Sequence, residues 1–459
     1  MSEGKLPEGW VKSELDNILL TIIGGGTPSK AIPEYYQGDI PWMSVKDMNK
    51  HTLTDTIDHI TNDAVENSST NIIPAGTPII ATRMSLGKIV TASFDSAINQ
   101  DLKALFLSSG VERNFFIHWY RSQAQLIESL GTGTTVKGIR LEVLKALSIN
   151  LPPFFEQKII AEKLDTLLAQ VDSIKALLEC AFNKLEMFKR VVMDFAVKGD
   201  LTKEWRNKNE INEWKITHWE NILLDKKDSF RRGPFGGALK KDIFVERGYK
   251  VYEQYCPIND DCSFSRYYIT EEKFHEMNKF EVHAGDFLIS GAGSIGKITL
   301  VPEGCEKGII NQALLRVRIN NEIYDKRFFL TLFRSPMFQK VIIENSTGSA
   351  MQNLKSVKEL KQIPVPLPCL SEQHEIVRRV EQLFVYADTI EKQVNNALAR
   401  VNNLTQSILA KAFRGELTAQ WRAENPDLIS GENSAAALLE KIKAERAASS
   451  GKKAARKKA

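Results

Sequence analysis

The sequence of 459 residues predicts an α+β fold: two mixed α/β domains separated by two long helices that form an antiparallel coiled coil. Three observations lead to this prediction. The chain contains an internal repeat, apolar residues recur twice at coiled-coil spacing, and the regions between them mix short β-branched runs with Gly, Pro and Asn turns. Together they indicate a pseudo-two-fold repeat of one domain and one helix.

The internal repeat sets the order of the elements. The segment that starts at Leu151 returns at Leu367, an offset of 216 residues, and both copies carry a Glu-Gln pair shortly after the start. Without a gap, the eight residues from Gly199 (GDLTKEWR) then correspond to the eight from Gly415 (GELTAQWR). The regions before each copy repeat more loosely. The predicted order is therefore globular, helix, globular, helix.

Apolar residues in each repeated segment alternate four and three positions apart, which is the spacing of a coiled-coil seam. The predicted seam comprises Leu164, Leu167, Val171, Ile174 and Leu178 in the first helix, and Val380, Leu383, Ala387, Ile390 and Val394 in the second. Prolines before each helix and the glycines Gly199 and Gly415 after it predict its limits. Farther along, Lys411 stands where the first seam has Phe195, which puts strict two-fold equivalence at the helix ends in doubt.

Two arrangements of the long helices are open at this stage. Each helix could pack on its own globular half, or the two could pair with each other. We favour pairing, and the link from Asn207 to Trp214 is too short for a parallel return, so the pair is predicted to be antiparallel. The predicted domains are a first globular domain (1–150), a central repeat helix (151–209), a second globular domain (210–366), a C-terminal repeat helix (367–425) and a C-terminal helix with a basic tail (426–459).

Composition limits the function classes without choosing one. The net charge is +4, but five cations after residue 451 account for more than this total, so bulk charge does not indicate a nucleic-acid binder. Five cysteines without a CxxC pair favour a reducing cytoplasm, and no segment has the length and apolarity of a membrane helix. We predict no metal site and no catalytic residues, because no Walker loop, metal-spaced histidine pair or nuclease-like acidic cluster is present.

Two motifs resemble catalytic or cofactor signatures. Gly291 to Gly296 matches GxGxxG, yet the next residues read as a strand where a dinucleotide site needs a helix. Asn150 to Phe154 resembles the Asn-Pro-Pro-aromatic box of amino-methyltransferases, but Leu151 interrupts it. We therefore predict no cofactor site in this chain.

Loops rich in Gly, Ser, Thr and Lys recur at corresponding places in both globular halves, and their chemistry suits phosphates and base edges. Arginine reads guanine and Gln or Asn reads adenine, whereas Ser, Thr and Lys mostly hold phosphate. The candidate contact residues are Thr27, Lys30, Arg83, Ser85, Lys88, Thr134 and Lys137 in the first half, and Arg231, Arg232, Lys240, Ser294, Lys297, Ser349, Gln352 and Lys355 in the second. Singly, each of these residues is as consistent with a solvated loop.

The layout resembles the specificity subunits of type I restriction–modification enzymes. The stretches Gly25 to Pro28 and Gly38 to Trp42 are similar to the opening of their target-recognition domains, and the Leu/Pro-rich leader with Glu-Gln resembles the entry to their repeat helix. The segment from Asn395 to Lys458 is similar to the enterobacterial branch represented by the K-12 enzyme (type IA).

The resemblance implies a non-catalytic, cytoplasmic DNA-binding protein that reads an asymmetric, split double-stranded DNA site, one half per recognition domain. It further implies two methyltransferase subunits for adenine N6 methylation and two motor–nuclease subunits for restriction. S-adenosylmethionine, ATP and Mg²⁺ would be held by those partners, and neither a membrane nor a homo-oligomer is required. Two rival functions stay open: an enzyme with unrecognised motifs, and a coiled-coil scaffold with sugar- or peptide-binding ends.

Overall fold

The computed structural model describes residues 6–133, 135–235, 237–291, 293–344 and 353–456. The chain forms two compact units, of which unit 1 is discontinuous in sequence and unit 2 is continuous. Unit 1 comprises Met1–Leu177 and Ala397–Ala459, and unit 2 comprises Leu178–Asn396. Of the sequence-predicted contact residues, Thr134, Ser349 and Gln352 lie outside the described residues.

Short strands outnumber helices among the described residues of both globular regions. The strands are β1 (Val11–Glu14), β2 (Leu19–Gly24), β3 (Ile40–Met43), β4 (Thr52–Leu53), β5 (Asp58–Ile60), β6 (Asn71–Ile73), β7 (Ile79–Ala81), β8 (Ile89–Ala92), β9 (Ser96–Ile98), β10 (Leu102–Leu107), β11 (Ser148–Leu151), β12 (Lys215–His218), β13 (Phe230–Arg232), β14 (Tyr249–Tyr252), β15 (Tyr268–Ile269), β16 (Glu281–Val282), β17 (Phe287–Ser290), β18 (Ile298–Leu300), β19 (Gly308–Ile310), β20 (Leu314–Val317), β21 (Ile343–Glu344), β22 (Asn353–Leu354) and β23 (Pro364–Leu367).

Two helices are far longer than the others. The helices are α1 (Leu15–Ile18), α2 (Asn62–Glu66), α3 (Arg113–Ser122), α4 (Ala124–Ser129), α5 (Leu141–Lys145), α6 (Phe154–Lys198), α7 (Lys203–Lys208), α8 (Tyr255–Asn259), α9 (Glu271–Glu276), α10 (Lys326–Arg334), α11 (Pro336–Ile342), α12 (Val357–Lys361), α13 (Leu370–Phe413), α14 (Ala419–Glu424) and α15 (Ala435–Arg456). The prediction of two long helices is confirmed, because α6 and α13 contain 45 and 44 residues.

In unit 1 the strands form a five-stranded sheet of order β2-β10-β7-β8-β4 and a four-stranded sheet of order β5-β3-β9-β6. The β4–β8 and β3–β9 pairs are parallel, and their neighbours are antiparallel. Strands β1 and β11 pair separately, at the point where the chain enters α6. The α+β prediction is therefore confirmed here, with mixed sheets.

Unit 2 contains sheets of order β13-β20-β17-β18 and β15-β14-β19-β16. Its one parallel pair among the described strands, β14–β19, corresponds to β3–β9 of unit 1. The pair β12–β23 likewise corresponds to β1–β11 and leads into α13. The internal repeat detected in the sequence is thus a repeat of topology.

Each unit contains one antiparallel pairing of helix segments. In unit 1, Leu164 near the start of α6 shares an apolar cluster with Leu409 and Ala412 near the end of α13. In unit 2 the relation is reversed, because Ala196 near the end of α6 clusters with Ile376 near the start of α13. The start of one helix therefore packs on the end of the other in both units, as predicted.

The ends of both helices follow the local sequence. Helix α6 begins directly after Pro152-Pro153, since proline lacks the N–H that a preceding turn would need. Gly199 and Gly415 stop the helices with φ of +83° and +75°, a left-handed conformation that glycine adopts at low cost. These limits agree with the sequence prediction.

Burial along the seam is uneven. Leu164, Val171, Val380, Ala387 and Val394 are buried, Leu167, Leu178, Leu383 and Ile390 are half-buried, and Ile174 is 43% exposed. Phe195 is 47% exposed and Lys411 is also exposed, so neither lies in the buried seam. The expectation that this pair disturbs the two-fold is therefore wrong. An α-helix drifts about 20° per heptad from a strict 3.5-residue repeat, which moves the last positions of a pattern off the contact line.

Candidate nucleic-acid interface

In unit 1 the glycine loop after β2 passes against the end of β9. A Cβ atom on Gly25 would lie 1.8 Å from the carbonyl oxygen of Ile98, so only glycine fits there. The amide of Gly26 donates to that same carbonyl at 3.1 Å. This close approach fixes the next residue, Thr27, whose hydroxyl donates a hydrogen bond to the amide oxygen of Gln100. Lys30 is exposed farther along the loop.

A chain of polar contacts links Thr27 to Arg83. Gln100 donates from Nε2 to Oδ2 of Asp101 at 3.3 Å, and Arg83 donates from Nη1 to Oδ1 of Asp101 at 3.3 Å. The Asp101 carboxylate is almost buried, whereas 55% of the Arg83 side chain is exposed. Asp101 thus holds a solvent-facing guanidinium next to the glycine loop. The sequence analysis predicted Arg83 and did not identify Gln100 or Asp101.

The loop that carries Lys137 joins the same surface. The amide of Met84 donates to the carbonyl of Lys137 at 2.9 Å, and the amide of Ile139 donates to the carbonyl of Thr82 at 2.9 Å. Met84 has φ of +62° and is 54% exposed, so it stands at the tip of a tight β7–β8 turn. Arg83, Met84 and Lys137 therefore present one polar edge.

Ser85 and Lys88 lie on the far side of this turn. The amide of Lys88 donates to the carbonyl of Ser85 at 3.3 Å, and the Lys88 ammonium donates to Oδ1 of Asn49 at 2.7 Å. Lys88 is exposed and Ser85 is half-buried. The structure therefore gathers the described candidates of unit 1 around the glycine loop, the β7–β8 turn and the Lys137 loop.

In unit 2 the two predicted arginines are already engaged by the protein. Arg231 donates to Oδ1 of Asp228 at 2.7 Å, and Arg232 donates to the carbonyl oxygens of Leu354 and Lys355 at 3.4 and 3.1 Å. Both contacts restrict the guanidinium groups. Arg232 is exposed and ties the loop of Lys355 to β13.

The other described candidates of unit 2 lie on loops. Ser290 donates from Oγ to the carbonyl of Ser294 at 2.5 Å and accepts from the amide of Lys297 at 3.0 Å, so it shapes the turn between β17 and β18. Ser294, Lys297 and Lys240 are exposed. This turn carries the GxGxxG sequence, and the strand that follows it confirms that the motif lies in a hairpin.

Phe235 is a surface residue that the sequence analysis missed. Gly233 corresponds to Gly25, since its Cβ would also lie 1.8 Å from a carbonyl oxygen, that of Asn311. Counting on from these glycines, Phe235 takes the place of Thr27, and it is 95% exposed. An exposed phenylalanine at this position can contact a thymine methyl group. Its repeat position is the signal that would have identified it.

Beneath the β13 surface, unit 2 contains a buried ion network that the sequence analysis also missed. Arg316, 1% exposed, donates to Oδ2 of Asp228 at 3.0 Å. Arg318 donates to Oδ1 of Asp286 at 2.8 Å and to Asp228 at 3.0 Å. Burial alone would raise the pKa of Asp228, but the hydrogen bond from Arg231 and the charges of all three arginines outweigh it and lower that pKa. The Asp228 carboxylate therefore stays ionised and holds these arginines in place.

No grouping of three or more His, Cys, Asp or Glu side chains that could hold a metal occurs among the described residues. None of the helices in the described part of the chain has the length and apolarity needed to cross a membrane. The arrangement in both units is a set of polar loops on a rigid sheet, which can contact a polyanion and distinguish hydrogen-bonding edges.

The chain matches the family described as "Type I restriction modification DNA specificity domain" over residues 7–180 and 236–400. It is 48% identical to the type I restriction enzyme EcoBI specificity subunit of Escherichia coli, across 75% of this chain and 74% of that protein. It is 39% identical to the EcoKI specificity subunit of Escherichia coli K12, and 38% identical to the StySPI specificity subunit of Salmonella potsdam. Both matches span the full length of each chain.

Two solved structures share the fold. One, described as the structural basis of complex assembly and conformational transition of the type I R-M system, aligns with a TM-score of 0.67 over 90% of this chain and 100% of that chain. The other, the HsdS subunit from Thermoanaerobacter tengcongensis, aligns with a TM-score of 0.54 over 91% of this chain and 99% of that chain. Sequence identity is 18% in both cases, so these likenesses concern the fold alone.

Proposed function

Because the chain belongs to the family of type I restriction–modification DNA specificity subunits, and to its enterobacterial type IA branch, we propose that it reads a bipartite DNA site with one half-site per globular unit. The chain is the DNA-recognition subunit of a restriction–modification complex and has no catalytic role of its own. Because the surface residues of the two units differ, the two half-sites differ, and the target is asymmetric.

The observation that carries this proposal is the pairing of helix segments within each unit. Helices α6 and α13 each run unbroken from one unit into the other, and the pairing is antiparallel in both. A rod of this kind sets the number of unspecified base pairs between the half-sites. We therefore propose that the helices act as a molecular ruler.

The proposed base and phosphate contacts follow the surfaces described above. In unit 1 we assign base reading to Arg83, and phosphate contacts to Thr27, Lys30, Ser85, Lys88 and Lys137 with Thr134. In unit 2 we assign phosphate contacts to Lys240, Ser294, Lys297, Ser349 and Lys355 and base reading to Gln352 and Phe235. We also assign DNA contacts to Arg231 and Arg232, whose hydrogen bonds to Asp228 and to the carbonyls of Leu354 and Lys355 orient their guanidinium groups, as Asp101 orients that of Arg83.

We propose two methyltransferase subunits and two motor–nuclease subunits as partners, which supply S-adenosylmethionine, ATP and Mg²⁺. An exposed apolar stripe on α6 supports a docking role for the helices, because Met187, Val191 and Phe195 follow each other at four-residue spacing and are 67, 46 and 47% exposed. All five cysteines are free thiols, which supports a reducing cytoplasm as the location.

The ruler is tested by inserting one heptad in each helix, between Leu177 and Leu178 and between Asn396 and Ala397. Seven residues add about 10.5 Å and keep the seam within roughly 20° of its original phase. This length corresponds to about three base pairs at roughly 3.4 Å each. Co-expression with the methyltransferase subunit and genome-wide mapping of methylated adenines should give unchanged half-sites and a spacer about three base pairs longer.

Insertion in one helix only is the matched control, and it should abolish methylation because the two helices no longer match. Altered half-sites at constant spacing would refute the ruler. Incubation of the purified chain alone with DNA and labelled S-adenosylmethionine separates this function from an enzymatic one, because any methyl transfer would favour the enzyme.

A further inference from the structure

A cavity of about 660 Å³ lies in unit 1, and its lining includes none of the residues proposed to contact DNA. It is bounded by α3, by the far ends of β4 and β8, and by the α6 residue Asp165. Its charged and titratable lining residues are His51, Arg113, His118, Arg121 and Asp165. A volume of this size falls within the range of ligand sites. The cavity therefore combines two guanidinium groups with a single carboxylate.

That carboxylate is already committed to other groups. Asp165 accepts a hydrogen bond from Nε2 of His118 at 2.7 Å and one from Nδ2 of Asn114 at 3.4 Å. The Nδ1 atom of His118 is buried without a hydrogen-bond partner among the described residues, so a second proton there would be unsatisfied. Burial lowers the pKa of His118, in agreement with a neutral imidazole. The positive charge of the cavity thus comes from Arg113 and Arg121.

The side chain of Arg121 makes no hydrogen bond or ion pair in the described part of the chain, although Asp165 and Asp172 act on it at longer range. Burial lowers its pKa, which reflects a guanidinium that has lost water without gaining a carboxylate at contact distance. Arg113 lies so close to Gly76 that a Cβ there would be 2.7 Å from Nη1, and its guanidinium forms no ion pair with any described carboxylate. Arg121 is half-buried, and a cation in such a position is costly unless an anion accompanies it. Arg113 is exposed, and its Nε donates to Oδ1 of Asn114 at 3.4 Å.

In unit 2 the arginine that corresponds to Arg121 is neutralised by an aspartate. Arg334 corresponds to Arg121 in the repeat, and it donates to Oδ2 of Asp260 at 2.8 Å and to the carbonyl of Ile298 at 3.0 Å. Asp260 follows Tyr252 by eight residues, and His51 follows Met43 by eight residues. Met43 and Tyr252 are equivalent, since each accepts a 3.0 Å hydrogen bond from the asparagine after β9 or β19. His51 of unit 1 therefore takes the position, relative to Arg121, that Asp260 takes relative to Arg334 in unit 2.

We propose that this cavity in unit 1 binds a phosphate group, held by Arg113 and Arg121 and flanked by His51. Two guanidinium groups suit the several acceptor oxygens of a phosphate, and His51 adds a donor in place of the repulsive carboxylate of unit 2. The phosphate belongs either to the DNA backbone or to a small phosphate ester. The site is formed by other residues than those proposed to contact DNA. A backbone phosphate there rests on the proposed function, whereas a small phosphate ester goes beyond it.

Isothermal titration calorimetry of the full chain with inorganic phosphate, at low ionic strength, tests the site without DNA. We expect one saturable site in the wild type, and at least tenfold weaker binding in Arg121→Gln. In Arg334→Gln, the matched control in unit 2, binding should stay within twofold. The variant His51→Asp recreates the unit 2 ion pair, so it should abolish phosphate binding while raising the thermal unfolding midpoint. This variant keeps the test decisive even if Arg121→Gln folds poorly.

Absence of saturable binding in the wild type, unaltered binding in His51→Asp, or equal losses in Arg334→Gln and Arg121→Gln would each overturn the proposal. A DNA titration then identifies the source of the phosphate. If it is a backbone phosphate, His51→Asp should reduce the slope of log affinity against log salt by about 0.9. If it is a small ester, that slope should stay unchanged while the binding of inorganic phosphate is lost.

Discussion

The two units have the same backbone requirements but distribute charge differently. Gly25 and Gly233 each make a close approach to a backbone carbonyl, that of Ile98 at the end of β9 and that of Asn311 directly after β19. Strand β10 of unit 1 carries Ala104 where β20 of unit 2 carries Arg316, as the spacing from Gln100 and Gln312 indicates. Positions that shape the backbone were therefore kept after the duplication, and positions that carry charge diverged. The same contrast separates the neutral Arg334–Asp260 pair from the cationic cavity.

The clearest shared feature is a buried group of hydrogen bonds, here called a node, around the glutamate at the start of each long helix. Glu156 and Glu372 are fully buried, and each accepts hydrogen bonds from a threonine and an arginine that follow the other helix. The adjacent glutamines also bind the backbone identically: Gln157 accepts from the Glu112 amide and donates to the Pro152 carbonyl, and Gln373 repeats this pattern. The repeated GDLTKEWR and GELTAQWR segments thus fasten the end of one helix to the start of the other.

The largest expected effect concerns the ion network that only unit 2 has. Arg316→Ala should lower the free energy of unfolding by about 3–5 kcal/mol, because it leaves the buried carboxylate of Asp286 and the half-buried carboxylate of Asp228 with less compensation. Urea unfolding followed by circular dichroism measures the change. Arg327→Ala removes an ion pair with Glu381 whose side chains are 68 and 54% exposed, and it should cost less than about 1 kcal/mol. Equal losses in both variants would contradict the assignment of stability to burial.

A second comparison concerns the tryptophan at each node. Trp10 donates from Nε1 to Oε2 of Glu156 at 2.8 Å, whereas Nε1 of Trp214 and Oε2 of Glu372 are both buried without partners among the described residues. Trp10→Phe should therefore cost about 1.5–3 kcal/mol, the range for a hydrogen bond to a charged group, beyond the loss of ring area. Trp214→Phe loses no such bond. A larger destabilisation by Trp214→Phe in urea unfolding would show that this difference between the nodes does not exist in solution.

These nodes also show what the sequence could and could not predict. The repeat predicted the topology, both helices and their glycine stops, because backbone and apolar patterns recur at fixed spacing. It did not predict that Glu156 accepts from Arg422, since contacts between distant segments leave no periodic signal. Phe195 was placed wrongly because a heptad count does not account for drift over five turns or more. Loop contacts such as Arg231–Asp228 depend on local geometry that composition does not encode.

A third comparison tests whether each surface reads its own half-site. Arg83 has Ala292 at the corresponding sequence position, and Phe235 corresponds to Thr27. If Arg83 contacts a guanine, Arg83→Ala should weaken DNA binding by about 1–3 kcal/mol and relax one position of the first half-site. Phe235→Ala should relax only the second half-site. Methylation mapping with each variant provides the measurement, and Lys358→Ala, a change at an exposed α12 residue, is the control. If Arg83→Ala relaxed the second half-site instead, or Phe235→Ala the first, the assignments of the two units to the half-sites would be exchanged.

The smallest expected effect is a difference in pH dependence between the units. In unit 1, burial lowers the pKa of His118 below its unfolded value of about 6.5, so the folded unit binds fewer protons than the unfolded chain. The stability that His118 contributes is complete above about pH 6.5 and decreases as the pH falls below that value. In unit 2, hydrogen bonds from Arg378 and Arg379 lower the pKa of Glu375 to about 2, so its contribution is lost between about pH 4.5 and 2.

Hydrogen exchange between pH 7.5 and 5.5, corrected for the intrinsic rate, compares the two units at corresponding helices. Peptides from α3, which contains His118, should lose protection over this interval. Peptides from α10 should keep their protection, because the acid-sensitive carboxylate of unit 2 takes up a proton only at a lower pH. In His118→Asn the loss in α3 should be smaller, since the residue can no longer take up a proton. Equal losses in α3 and α10 would mean that the two units open together, in which case the stability of each copy would not be separable despite their distinct cores.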